Sequence, residues 1–215
     1  MTRTELCLGT LKKTHVVSVI RIHSDIDLSP TMEALYQGGV KVIEITATTP
    51  GYTKNIARIR EVFSDKQDCF VGAGTVLSMR QLEEAVAAGA DFIVSPIFDE
   101  RIVATCTGKN VPVMPGAMTP TEIYRAWTAG ASVVKAFPGG VCTPGFFADM
   151  KGPFPEIPLM PTGNVNVHTA PEYIRAGAVA VGIGKALAGE AAIISGDWNT
   201  IEQHAKEYIS LLAGL

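Results

Sequence analysis

Lys135 lies in the run Ala131-Ser132-Val133-Val134-Lys135-Ala136-Phe137-Pro138-Gly139-Gly140, which reads as a buried strand ending in a Pro-Gly-Gly turn. Side chains alternate along a strand, so Val133, Lys135 and Phe137 share one face. A lysine among apolar neighbours loses hydration, which disfavours its ammonium form and lowers its pKa. The free amine that results attacks ketones and forms a Schiff base. The other reading is an ammonium that snorkels from the strand end to water. A carboxylate stands in a similar place. In Val42-Ile43-Glu44-Ile45-Thr46, residues Val42, Glu44 and Thr46 share a face, while Ile43 and Ile45 point away. Arg21 ends a third apolar run, on the parity of Val17 and Val19. Each has a structural alternative: Glu44 as half of a salt bridge with a lysine, Arg21 as a solvated strand end, Thr75 and Thr162 as helix caps.

The elements that would position these groups recur at intervals of roughly 23 residues. The apolar, β-branched runs are 16–22, 40–46, 69–73, 92–95, 111–114, 132–137, 159–162 and 179–182. Most are near-continuously hydrophobic, as parallel strands covered on both faces are. Helical patterns lie between them. Ser29-Pro30 predicts a serine N-cap with proline at the first helical position. Ser78-Met79-Arg80-Gln81 predicts a capping box, and Thr119-Pro120-Thr121-Glu122 a further helix start. Gly38-Gly39, Gly89, Gly130 and Gly177 suit left-handed positions after helices. A short helix is expected before Val16, and an amphipathic one from Asp197 with Ile201, Ala205, Tyr208, Ile209 and Leu212 on one stripe. Eight strands alternating with helices predict an α/β fold, a compact (β/α)8 TIM barrel forming a single domain over 1–215; a doubly wound open sheet is the runner-up.

Barrel enzymes carry their chemistry at the C-terminal strand ends. The polar exceptions fall there: Arg21, Glu44, Thr75, Ser95-Pro96, Pro115-Gly116, Lys135, Thr162-Gly163 and Gly182-Ile183-Gly184. Glycines ahead of a helix expose N–H groups that cradle an anion. Lys185 follows them, either to contact that anion or to lie solvated. The net charge of −3, with no basic run, gives no case for nucleic acid. No apolar stretch approaches the roughly 20 residues that span a membrane, and the N-terminus lacks the apolar core of a signal peptide. A cytoplasmic protein is expected. Cys7, Cys69, Cys106 and Cys142 have no zinc or disulfide spacing, and Cys69 and Cys106 read as small core residues. His15, His23, His168 and His204 are dispersed, which argues against a catalytic metal.

The motifs Ile43-Glu44-Ile45-Thr46, Val71-Gly72-Ala73-Gly74-Thr75-Val76, Val94-Ser95-Pro96, Met114-Pro115-Gly116, Lys135-Ala136-Phe137-Pro138-Gly139 and Pro161-Thr162-Gly163 occur in this order. With them the chain resembles the class I aldolases that cleave 2-keto-3-deoxy-6-phosphogluconate and 4-hydroxy-2-oxoglutarate, from about Val16 to Leu187. The resemblance implies a trimeric barrel that uses a Schiff-base lysine and no cofactor or metal. Lys135 would be that lysine and Glu44 the general acid/base. Thr75 would contact the pyruvate carboxylate, Phe137, Pro96 and Thr162 would wall the ketoacid, and Gly163 with Gly182, Ile183 and Gly184 would cradle the phosphate. Three positions depart. Many members have arginine where Thr48 stands, and Arg21 fits the variant with arginine at the end of strand one. Asn164 replaces a glycine after Thr162-Gly163, and Lys185 a serine in the last turn.

The expected reaction is retro-aldol cleavage of a 4-hydroxy-2-ketoacid to pyruvate and an aldehyde. A phosphorylated substrate is favoured over 4-hydroxy-2-oxoglutarate. The other classes are a sugar-phosphate isomerase or epimerase without a covalent step, and a non-catalytic ketoacid sensor.

Overall fold

The computed structural model describes residues 1–215. The chain begins with α1 (Arg3–Thr14) and then alternates: β1 (Val16–Ile20), α2 (Ser29–Gln37), β2 (Val42–Thr46), α3 (Tyr52–Val62), β3 (Phe70–Gly74), α4 (Met79–Ala87), β4 (Ile93–Val94), α5 (Glu100–Gly108) and β5 (Val113–Met114). It continues with β6 (Gly116–Ala117), α6 (Pro120–Thr128), β7 (Val134–Ala136), α7 (Pro144–Lys151), β8 (Leu159–Pro161), α8 (Ala170–Arg175), β9 (Val181–Ile183), α9 (Glu190–Ser195) and α10 (Trp198–Leu212). This is an α/β fold in which every strand pair is parallel. One sheet has the order β5-β4-β3-β2-β1-β9 and the other β6-β7-β8.

All eight apolar runs hold a strand, with shifted ends, and a ninth short strand, β6, follows the fifth run beyond Pro115. Proline has no backbone N–H, so the ladder breaks at Pro115 between β5 and β6. Backbone bonds cross this seam: Ser132 N–H donates to the Val113 carbonyl at 2.9 Å and Lys135 N–H to that of Pro115 at 2.9 Å. At the other seam Val179 N–H donates to the Leu159 carbonyl at 2.9 Å, and Thr162 pairs with Gly182.

Alternation along the strands divides the core. Ile43, Ile45, Val71, Ala73, Val134, Ala136 and Ile183 face the helices and join the larger apolar cluster. Val17, Val42, Phe70, Phe92, Val94, Met114, Val133 and Met160 form a second cluster on the opposite faces. Cys7 and Leu11 of α1 belong to that second cluster. Each buried Val, Leu, Ile, Phe or Met among them contributes about 1.5–3 kcal/mol. Helix α1 is tied down by the Arg3–Asp91 ion pair at 2.8 Å and by the Arg3 guanidinium 4.2 Å above the Phe70 ring.

The helix starts follow the sequence in part. Thr119 and Glu122 form the full reciprocal box on α6. Ser78 accepts from Gln81 N–H at 3.2 Å, but the Gln81 side chain reaches back to Leu77 N–H instead of the cap. Ser29 is not a cap: it is the first residue of α2, and the Asp27 carboxylate accepts its N–H at 2.8 Å. The Ser29 hydroxyl donates to the same Asp27 oxygen at 2.7 Å and accepts from no helix N–H. Gly39, Gly89, Gly130 and Gly177 all adopt positive φ. On α10, Ile201, Ala205, Tyr208 and Leu212 are buried, and Ile209 is partly buried. The close approach of α10 to α2 requires Gly38, where a Cβ would overlap that of Ala205. No helix is long and apolar enough to cross a membrane.

Candidate active site

Lys135 is the middle residue of β7 and only 4% exposed. Its inward neighbour towards the N-terminus, Val133, lies in the second apolar cluster, so the strand passes from apolar to polar on one face. The Lys135 Nζ stands 5.3 Å from the centre of the Phe137 ring, within reach of a cation–π attraction.

Glu44 on β2 is 1% exposed, and neither carboxylate oxygen has a hydrogen-bond partner. The salt-bridge alternative therefore fails. Burial pushes its pKa above the ordinary carboxylate range, and the positive charges of Lys135 and then Arg21 oppose that rise. Space for the carboxylate is made by Gly74, which pairs with Thr46 across β2 and β3. A Cβ there would overlap the Glu44 side chain.

Arg21 follows β1, exposed, and its Nη2 donates to Thr75 Oγ1 at 3.1 Å. Val71 and Ala73, on the parity of Thr75, face the helices. Thr75 nevertheless meets Arg21, because the backbone leaves the strand there at φ 55° and breaks the alternation. Arg21, Lys135, Phe137, Thr162, Gly163, Gly184 and Lys185 line one cavity of about 480 Å³. Glu44 is not part of that lining but lies near enough to Lys135 and Arg21 to feel both charges. A buried lysine and an arginine on one cavity, with an unpartnered buried carboxylate beside them, are the groups that imine and proton-transfer chemistry needs.

The model of the KDPG and KHG aldolase family matches residues 8–204. The chain belongs to that family. It is 33% identical to the 2-dehydro-3-deoxy-phosphogluconate aldolase of Treponema pallidum, over 94% of this chain and 95% of that one. It is 32% identical to the KHG/KDPG aldolase of Escherichia coli over 90% of each. Among solved structures, the KDPG aldolase of Legionella pneumophila, with pyruvate captured at low pH as a covalent carbinolamine intermediate, superposes with a TM-score of 0.85. It is 28% identical to this chain and covers 96% of this chain and 97% of that one.

Within this aldolase-family chain, not every residue singled out from sequence falls at the cavity. Gly182 and Ile183 are strand residues of β9, paired with Val17 and Ser18, and are not free to cradle an anion. Ile183 points into the core under the helices. Gly182 instead makes room for the Thr162 side chain, which a Cβ would overlap. Pro96 lines a neighbouring cavity of about 420 Å³ with Ile97, Phe98, Met118 and Phe137. The glycine turns do not lead directly into helices: α8 begins at Ala170 and α9 at Glu190. The loops themselves form a third cavity of about 410 Å³, lined by Gly163, Asn164, Val165, Asn166, Gly184, Lys185 and Ala186. There the N–H groups of Asn164, Val165, Lys185 and Ala186 donate to no acceptor in the protein. Gly163 at φ 96° and Asn164 at φ 58° form the turn of the first of these loops. The Thr162 hydroxyl oxygen is buried with no partner, so it does not cap a helix. Thr48, at the departed arginine position, bonds Thr46 at 2.9 Å.

Sequence reasoning missed Glu190, which lines the 480 Å³ cavity. Its pKa is held down by hydrogen bonds from the His23 backbone and ring. It lies at the start of a helix, off any strand, and no period-2 pattern marks it. His23 is thereby committed to Glu190, and no group of three or more His, Cys, Asp or Glu is arranged to hold a metal ion. All four cysteines are free and buried. Burial pushes the thiols of Cys7, Cys69 and Cys106 up to about 12.

Proposed function

We propose that this protein is a Schiff-base aldolase that cleaves a phosphorylated 4-hydroxy-2-ketoacid, 2-keto-3-deoxy-6-phosphogluconate, to pyruvate and glyceraldehyde 3-phosphate. The observation that carries this reading is the pairing of two buried groups, Lys135 and Glu44, close enough to feel each other's charge yet not joined in a salt bridge. Lys135 adds to the C2 ketone, and loss of water gives an iminium ion. That cation takes up the electron pair released when the C3–C4 bond breaks. Glu44, directly or through one water, removes the C4 hydroxyl proton. A carboxylate whose protonated form burial favours is suited to hold that proton. It then returns a proton to C3 of the enamine, and hydrolysis frees pyruvate.

Arg21 and Thr75 hold the C1 carboxylate, to which a guanidinium fork is matched. Phe137 and Thr162 wall the ketoacid. The distal phosphate sits on the unpaired N–H groups of the 163–165 and 184–186 loops, a concavity of a kind that binds anions. Lys185 adds positive charge. The seam contacts support closure of the strands into one eight-stranded (β/α)8 barrel, a single domain over 1–215. The family resemblance supports a homotrimer, and the exposed Ile97, Met118 and Phe137 around one cleft are apolar surface suited to a subunit contact.

The test compares kcat/KM for 2-keto-3-deoxy-6-phosphogluconate and 4-hydroxy-2-oxoglutarate in the parent and in Lys185→Ala. A preference for the phosphorylated substrate that drops on losing Lys185 supports the reading. Equal efficiency on both, unmoved by the substitution, removes the phosphate site from it.

A further inference from the structure

Arg21-Ile22-His23 leaves the end of β1 as irregular backbone. The Arg21 guanidinium, which lines the cavity, is nonetheless held on the Thr75 hydroxyl at 3.1 Å. The run is gripped from two sides. On one side Ile22 is buried and its N–H donates to Thr49 Oγ1 at 3.3 Å. On the other, Glu190 takes His23 with both carboxylate oxygens. Oε1 accepts the backbone N–H at 2.6 Å, and Oε2 meets ring Nδ1 at 2.9 Å. Glu190 opens α9, which is anchored by buried Ile193, and its side chain lines the same cavity as Arg21.

We propose that Glu190 is a positioning residue: by clamping His23 it fixes the Arg21 run, and so sets the affinity for the carboxylate of the ketoacid. The inference rests on the reading of Arg21 as the carboxylate contact. An exposed ion pair adds little to stability, and the His23 side chain is 82% exposed. The grip on the backbone N–H is different in kind. It is a short, charge-assisted bond that fixes the chain two residues from Arg21. Without it the run is held only on the Ile22 side, by burial and by the 3.3 Å bond to Thr49. Displacing a binding group by about 1 Å costs on the order of 10²-fold.

The probe is pyruvate. Inactivation by borohydride is followed against pyruvate concentration in the parent, Arg21→Ala, Glu190→Ala and the double variant. Glu190→Ala raises the half-saturating pyruvate concentration on the order of 10-fold. The limiting inactivation rate moves less than the half-saturation. In the Arg21→Ala background the second substitution adds no more than about 2-fold, because coupled residues are not additive. Glu190→Gln, whose amide oxygen still accepts the His23 N–H, shifts the half-saturation less than Glu190→Ala. It also serves as the reporter if Glu190→Ala fails to fold. Parent-like half-saturation in both Glu190 variants overturns the inference while leaving the role of Arg21 standing, and so does a full multiplicative effect in the double variant. A parent that is not inactivated, or an Arg21→Ala variant that binds pyruvate normally, overturns the underlying reading and the inference with it.

Discussion

At the scale of residues, Glu44 is the most demanding group in the protein. A carboxylate buried without hydrogen bonds destabilises the fold whenever it is charged. Its native pKa lies above its ordinary value of 4.5. Between those two values the native state keeps a proton that the unfolded chain has released. Stability is therefore fully present below about pH 4.5 and is lost as pH rises through the native value. Glu44→Gln removes this loss. The melting temperature of the variant exceeds that of the parent at neutral and alkaline pH, and the difference shrinks on acidification. The same substitution removes proton transfer and lowers kcat on the order of 10²–10⁴-fold. Unchanged kcat with an unchanged pH profile of melting would make Glu44 a structural residue. Glu44 and Lys135 were legible in the sequence because a strand has period 2, and a charge on the apolar parity stands out. Glu190 was not, since its partner His23 is remote in sequence and its parity carries no meaning at a helix start.

Strand β3 supplies at the element scale the room that the strand carrying Glu44 needs. After Phe70, its inward positions are Gly72 and Gly74, against Phe92 and Glu44 respectively. A Cβ at Gly72 would come within 2.5 Å of the Phe92 ring. Gly74→Ala displaces the Glu44 carboxylate and lowers kcat on the order of 10²-fold, the cost of misplacing a catalytic group. Parent-like kcat in Gly74→Ala would show that the carboxylate has room to move and that β3 does not set it. The order of elements was legible from alternating runs and Gly and Pro punctuation. The split at Pro115 was open to the same reading, because proline removes a ladder donor. The place of Thr75 was not: parity puts it with Val71 and Ala73, and only the left-handed turn brings it to Arg21. Nor was the cradle, whose loops were expected to run straight into helices.

For the whole molecule, α1 and α10 tie the chain ends to the sheet and its helices. Cys7 and Leu11 fill the second apolar cluster, and α10 lies on α2. Leu11→Ala leaves a cavity there and lowers stability by about 2–5 kcal/mol. As the chain is proposed to be a single domain, the loss appears as a shift of one cooperative transition in denaturant, with the slope retained. Two separate transitions, only one of them moved, would contradict the single-domain reading.

The proposed chemistry begins at the amine of Lys135, and reductive trapping tests it most directly. The protein is incubated with pyruvate and borohydride, digested, and the modified peptide located by mass spectrometry. One irreversible adduct is expected, on Lys135, with turnover lost in parallel and no adduct in Lys135→Arg. An adduct on Lys151 or Lys185, or turnover that persists with no adduct at all, would contradict it.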